Sequence, residues 1–356
     1  MEKENINSEN SHGEMIQEKA SGEKFSPRKP WLAVLLDYLF TGLGYFYIGQ
    51  VKLAIMWAVL YPLMILAVVL IALELPSRIN VIFLSSAFIT IPLIRLIDVF
   101  KNAKKEKDYI LKPFNKVKFY ILYVVIIMIY GLIIDSFSGY KHYRFPTASM
   151  ESSIYPNDYF FARMNKSHER NDIVIHYPAI HFEDEENVPY VKRIIGMPGD
   201  TIKISNKIVY INGEKEKNTA EYSYDKVNRE PDFANPRIYP KGAKWNEDNY
   251  GPLYIPKAGD VIFLDSVNIM FWKKIILREG NVKTKDEAVK ESYITSVLKG
   301  GKFAIKNNYY FMMGDNRNNS LDSRFTGLVI EDDILGQPKF VYFNPDKMER
   351  IGLLIK

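Results

Sequence analysis

The sequence predicts N-terminal transmembrane α-helices followed by a mainly antiparallel β domain. Three observations carry that prediction. Residues 31–137 are rich in Leu, Ile, Val, Phe and Tyr, with few charges outside 101–118. Residues 138–356 have the mixed composition of an ordinary folded domain. From residue 140 onward, short β-prone runs are separated by Gly, Pro and Asn, the punctuation of hairpins.

Residues 1–28 are polar and without periodicity, so they read as a disordered tail. A multi-helix module is expected over 29–100. Apolar segments lie at about 31–48, 53–75, 81–100 and 119–136, and a helix needs roughly 20 apolar residues to cross the hydrocarbon core. The last three meet that length. The first carries Asp37 and the interrupted run Thr41-Gly-Leu-Gly-Tyr-Phe-Tyr-Ile-Gly49, so it either spans or forms a partly inserted hairpin. Arg95 and Asp98 are expected at the interface, as charges near helix ends reach toward water. Lys101, Lys104, Lys105, Lys107, Lys112, Lys116 and Lys118 crowd residues 101–118. By the positive-inside rule this loop is cytoplasmic. The helix at 119–137 then leaves the cytoplasm, and residues 138–356 lie outside it. Three spans would put the N-terminus in the cytoplasm; four would put it outside.

In the second half, strands are expected at Tyr159–Arg163, Asp172–Tyr177, Thr201–Ile204, Lys207–Ile211, Asp260–Leu264, Tyr309–Met313 and Lys339–Phe343. Ser205-Asn206 and Asn212-Gly213 mark tight turns about one hairpin strand. Residues 283–299 read as a helix. Residues 214–256 are polar and contain proline, so they read as the loops of an inserted subdomain, and Asn246 is expected at the surface. The run Ile269–Ile276 either touches membrane through its aromatic residues or covers the sheet.

Composition excludes several chemistries. The net charge of +5 is modest, and no long basic run lies in the second half, so nucleic acid is not an expected partner. The chain has no cysteine, which removes disulfides, thiolate metal sites and a cysteine nucleophile. Its five histidines show no H-x-x-x-H spacing, so neither a metal nor another cofactor is expected.

Three blocks carry the candidate chemistry. Phe145-Pro-Thr-Ala-Ser-Met150 places Ser149 in a tight loop just after an apolar segment. A serine hydroxyl needs a base before it attacks. Tyr190-Val-Lys-Arg-Ile-Ile-Gly-Met-Pro-Gly-Asp200 offers Lys192 among apolar neighbours, where burial disfavours the ammonium and lowers its pKa. Arg193 beside it takes a structural or salt-bridging role. Met313-Gly-Asp-Asn-Arg-Asn-Asn-Ser-Leu-Asp-Ser-Arg324 supplies Asp315, Ser320, Asp322 and Arg324. Ser320 is placed to orient the lysine amine, and Asp322 and Arg324 to pair and hold the loop. Thr147 either donates its hydroxyl to a developing oxyanion, together with the Ser149 N–H, or only shapes the loop.

These three blocks, in this order, resemble type I signal peptidase, a Ser–Lys dyad serine peptidase family. The resemblance covers about residues 140–345. It implies Ser149 as nucleophile, Lys192 as general base and Ser320 as its orienter. It implies a β-rich catalytic domain over 138–356, with a smaller β-rich subdomain inserted at about 206–308. It further implies a protein of the bacterial plasma membrane, its partners being the lipid bilayer and preproteins that carry signal peptides; the apolar segments make it multi-pass, with more helices than the one or two common in the family. Phe145, Pro146, Met150 and Val191 are the expected walls of the substrate pocket. The loop departs from the family in Thr147-Ala148, where a hydroxyl is retained. It departs again in Arg170-Asn-Asp172, where Asn stands for the usual Gly at a positive-φ turn. Two other readings are a catalytically weak relative that assembles surface proteins, and a transporter built on the helices.

Overall fold

A computed structural model describes residues 27–73, 77–106, 109–164, 167–178, 188–217, 221–282 and 284–355. The expected tail lies almost wholly outside the described residues. The chain divides into two compact units, Met1–Ser138 and Gly139–Lys356.

The first unit is helical: α1 Pro30–Leu39, α2 Leu43–Tyr47, α3 Val51–Leu73, α4 Ser77–Lys105 and α5 Val117–Ser138. The segment expected at 31–48 is therefore two short helices, and neither is long enough to span. Gly44 makes the break compact, because a Cβ there would strike the Ala33 carbonyl oxygen and Asp37 Cβ. Ala33, Tyr45, Phe46, Ile48 and Val99 form the core. Phe46 packs against Phe114, Tyr120 and Tyr123. Arg95 does not lie at an interface as expected. It is buried, and its Nη1 pairs with the equally buried Asp37 at 2.8 Å. Asp98 is tied down as well, accepting from Tyr45 OH at 2.6 Å. A buried charge needs such a partner, and Asp37 supplies it from a helix distant in sequence. Lys101, Lys104 and Lys105 belong to the last turns of α4 rather than to a loop, where cations suit the helix dipole.

Among the described residues, one helix is long and apolar enough to cross a membrane, over Val51–Val68. That is fewer than the three or four crossings expected. The apolar run in α5 covers only Val117–Ile133, and α4 carries Arg95, Asp98 and Lys101.

The second unit is built on a seven-stranded antiparallel sheet. Its strands are β1 Tyr140–Phe145, β2 Asp158–Arg163, β3 Ile173–His176, β4 Tyr190–Gly196, β11 Tyr309–Met313, β12 Val329–Ile330 and β13 Ile334–Phe343. Their order is β1-β2-β13-β3-β4-β11-β12. Between β4 and β11 the chain forms a four-stranded sheet, ordered β7-β6-β5-β8, from β5 Thr201–Ser205, β6 Ile208–Ile211, β7 Glu214–Lys215 and β8 Tyr250–Tyr254. A two-stranded ribbon follows, of β9 Val261–Phe263 and β10 Lys302–Ala304, with helices α6 Ile269–Glu279 and α7 Glu287–Lys299 between its strands. The expected turns are both present, with Asn206 and Lys207 at φ 48° and 69° and Asn212 and Gly213 at 54° and 86°. The run Ile269–Ile276 packs inward through Ile275 and Ile276. Asn246 is buried rather than exposed, its amide donating to the Glu230 and Phe233 carbonyls at 2.9 and 2.8 Å.

Candidate active site

β1 ends at Phe145, and the chain then turns through Thr147–Ile154 before β2. The Ser153 and Ile154 N–H groups both donate to the Met150 carbonyl, at 3.0 and 2.8 Å. Met150 and Ile154 are fully buried beside Phe145, Phe160, Ile173 and Ile175. This apolar anchor fixes the turn that carries Ser149. Met150 was expected as a pocket wall. Its long apolar side chain instead goes into the core beneath the turn, and it does not line the cleft.

β4 lies between β3 and β11, with hydrogen-bonded neighbours on both sides. Lys192, opposite Val174 in the ladder, is 3% exposed. Its Nζ lies 2.8 Å from Ser149 Oγ and 2.9 Å from the Val191 carbonyl oxygen. The Tyr190 ring centroid is 5.4 Å from the same nitrogen. Burial pushes the Lys192 pKa down to about 8, against the opposing pull of Asp322 and Asp315. Thr147 Oγ1 lies 3.2 Å from Ser149 Oγ. His176, buried behind Tyr190, is pushed by burial down to about 4, so it is neutral in the physiological range.

The third block wraps these two. Asn316 N–H donates to the Ser149 carbonyl at 3.2 Å, and its side-chain amide to the Ala148 carbonyl at 3.1 Å. Gly314 passes so close that a Cβ would strike Ser320 Oγ and the Ser149 carbonyl oxygen. Asp315 takes both ends of Arg193, at 2.8 and 2.7 Å, and accepts from Ser153 Oγ at 2.5 Å. Asp322 takes Arg324 in the same forked way, at 2.9 and 2.8 Å. Burial works against the Asp322 carboxylate, yet Arg324 and the Gly314 N–H hold its pKa below the usual range. Both pairs are almost wholly buried. Ser320 is buried beside Asp322, and among the described residues it is not a hydrogen-bond partner of Lys192. Sequence reasoning did not single out Asn316, Ser153 or Tyr190. Asn316 and Tyr190 stand inside the quoted blocks; Ser153 carried no signal.

A cleft of ≈ 490 Å³ opens onto Ser149 and Lys192. Phe145, Pro146, Thr147 and Val191 line it, with Tyr143, Phe160, Ile175 and Leu321. The lining is mainly apolar, as in most small-ligand and side-chain pockets.

A hydroxyl in contact with a buried amine, at the end of an apolar cleft, is chemically competent for serine hydrolysis. The comparisons with known proteins give the family. The model of the family "Signal peptidase, peptidase S26" matches residues 116–343. Signal peptidase I of Buchnera aphidicola subsp. Schizaphis graminum (strain Sg) is 27% identical over 245 residues, which cover 61% of this chain and 73% of the relative. Signal peptidase I S of Bacillus subtilis (strain 168) is 26% identical over 232 residues, covering 64% of this chain and 89% of the relative. The crystal structure of a signal peptidase I from Enterococcus faecalis V583 aligns with 48% of this chain and 96% of its own, at 18% identity and a TM-score of 0.24, too low to carry an argument. This chain belongs to the signal peptidase S26 family, and its activity is that of a signal peptidase I, a serine endopeptidase.

Proposed function

We propose that the chain cleaves signal peptides with Ser149 as nucleophile and Lys192 as general base. The observation that carries this is the buried 2.8 Å contact between Lys192 Nζ and Ser149 Oγ. In its neutral form the amine accepts the Ser149 proton as Oγ attacks the scissile carbonyl carbon. The protonated lysine then gives that proton to the leaving amine, and an acyl-enzyme on Ser149 remains. Water, deprotonated by the same amine, then attacks the acyl carbon; the bond to Oγ breaks, Ser149 takes the proton back from the lysine, and the new carboxylate is released. The Ser149 N–H and the Thr147 hydroxyl donate to the oxyanion. The Arg193–Asp315 and Arg324–Asp322 pairs hold the loop. Phe145, Pro146 and Val191 accept the small residues that precede the scissile bond.

The strands and helices between β4 and β11 form the inserted subdomain. The helix over Val51–Val68 anchors the enzyme in the bilayer, and the apolar run Val117–Ile133 of α5 crosses it again, with the basic stretch 101–118 on the cytoplasmic side and Ser149 on the other. Enzyme and substrate held in one membrane gain effective concentration.

The test is cleavage of a preprotein in detergent by Ser149→Ala, Lys192→Ala and the double variant. Each single change should abolish cleavage with the fold intact, and the double should be hardly worse, because the two act as a unit. Substantial activity in either single variant would overturn the assignment.

A further inference from the structure

Three arginines of the second and third blocks are buried around the Ser149 turn, and those blocks neutralise only two of them. Arg193 has Asp315, and Arg324 has Asp322. The third, Arg317, is 1% exposed, and its own loop offers it no carboxylate. Its compensation comes from a remote stretch of chain. The Tyr222 ring centroid lies 3.5 Å from the guanidinium carbon, and Glu216 lies 3.8 Å from Nη2. Tyr222 OH donates to Glu216 at 2.9 Å, so ring and carboxylate are locked together. A desolvated guanidinium over an aromatic face is a strong form of this contact.

The same stretch is also stitched to the site by its backbone. Ser223 pairs with Asn316 in a parallel bridge. Ser223 N–H donates to the Asp315 carbonyl at 3.0 Å, and Arg317 N–H to the Ser223 carbonyl at 2.9 Å. Asp225 N–H donates to the Asn318 side chain at 3.1 Å. On the nucleophile side, Ser152 Oγ donates to the Glu221 carbonyl at 2.6 Å. Ser152 is held there at φ 99°, a conformation that costs energy for a residue with a side chain.

We infer that Glu221–Asp225 is a strap that sets the position of Ser149 relative to Lys192, with Tyr222 as its positioning residue, acting through Arg317 on the Asp315–Asn319 loop. This rests on the Ser149–Lys192 reading. The strap grips both pieces that hold Ser149: the turn itself, through Ser152, and the loop whose Asn316 clasps Ala148 and Ser149. Loosening it lengthens the Ser149–Lys192 contact and leaves in place the apolar cleft walls Tyr143, Phe145, Phe160, Ile175 and Val191, which the strap does not touch. The loss therefore falls on kcat and not on KM. It also admits water to the amine, so the pH at which activity develops moves upward.

The test uses the full chain in detergent, with initial rates of preprotein cleavage measured across pH. Tyr222→Ala should lower kcat by about 10-fold with KM within twofold, in line with the cost of a small misplacement of reacting groups. Its activity limb should move to higher pH. Tyr222→Phe keeps the ring on Arg317 and should recover most of kcat. Ser152→Ala cuts the strap from the turn at an exposed position, and should lower kcat in the same direction should Tyr222→Ala not fold. A folded Tyr222→Ala with wild-type kcat and pH profile, or a folded Ser152→Ala at the wild-type rate, overturns the strap. Lys192→Ala in the same assay separates the two ideas. An active Lys192→Ala defeats the dyad itself; an inactive one beside a fully active Tyr222→Ala defeats the strap alone.

Discussion

The Lys192 amine should set both how the enzyme responds to pH and how stable it is. Burial brings its pKa from an ordinary 10.5 to about 8. At pH 7 roughly a tenth of the amine is then neutral, against roughly 0.03 % for an unperturbed lysine. The environment thus supplies roughly 300-fold more base. The shift corresponds to about 3 kcal/mol of differential destabilisation of the ammonium. Rate and stability follow with definite signs. Log kcat/KM, which reports the free enzyme, should rise by about one unit per pH unit below 8 and bend near 8. The folded value lies below the unfolded one, so the cost to stability is present in full below about pH 8. Between about 8 and 10.5 the unfolded chain holds the extra proton, and stability rises with pH. Lys192→Met should therefore be the more stable protein at pH 7, by up to about 3 kcal/mol, and its advantage should shrink as pH climbs through that window. Rates by preprotein cleavage and thermal midpoints by tryptophan fluorescence check the two halves. A limb centred near 6.5 would refute the reasoning, because it would assign the titration to a histidine. So would a Lys192→Met protein no more stable than wild type at pH 7.

Three further outcomes are expected. Thr147→Val, nearly isosteric, should lower kcat by about 10²–10³ with little change in KM, while Thr147→Ser keeps most activity; a wild-type rate for the valine variant would reduce Thr147 to a loop residue. Asp322→Ala strands the buried Arg324 guanidinium and should cost about 3–5 kcal/mol in unfolding free energy, read as a lower thermal midpoint; a midpoint unchanged from wild type would show the pair to be dispensable. In intact cells, an impermeant thiol reagent should label Lys217→Cys and miss Lys105→Cys, both exposed positions in a chain without cysteine; the opposite pattern would invert the membrane orientation.

Much of the second unit was legible in the sequence, because strands bounded by Gly, Pro and Asn announce themselves. The substitution of Asn171 for glycine was legible too: it sits at φ 73°, which Asn tolerates. The three motif blocks located Ser149, Lys192, Asp315 and Asp322, and the structure brings these together. What stayed hidden depends on contacts between distant segments. Asp37 and Arg95 find each other across more than fifty residues, so nothing local distinguishes Arg95 from a snorkelling end charge. Asn246 reads as surface because it is polar in a polar stretch, yet it spends its amide on two backbone carbonyls. Met150 follows Ser149 in sequence but goes into the core beneath the turn. Tyr222 gave no sign of its place over Arg317, nearly a hundred residues away.

The central position of β4 has one more consequence. A lysine carried on an edge strand or a loop would share the drift of that segment. Lys192 is mounted in mid-sheet, paired with Val174 of β3 and next to Arg193, which pairs with Met313 of β11, and serves as the datum of the active site. Registration is then asymmetric: the serine turn is adjusted to the lysine, and never the reverse. Insertions and replacements in the polar stretches that follow β6 can alter how the turn is braced without disturbing the base. Rate is therefore open to tuning from regions that share no motif, while Lys192, the proposed base, stays fixed by the main-chain hydrogen bonds of its strand.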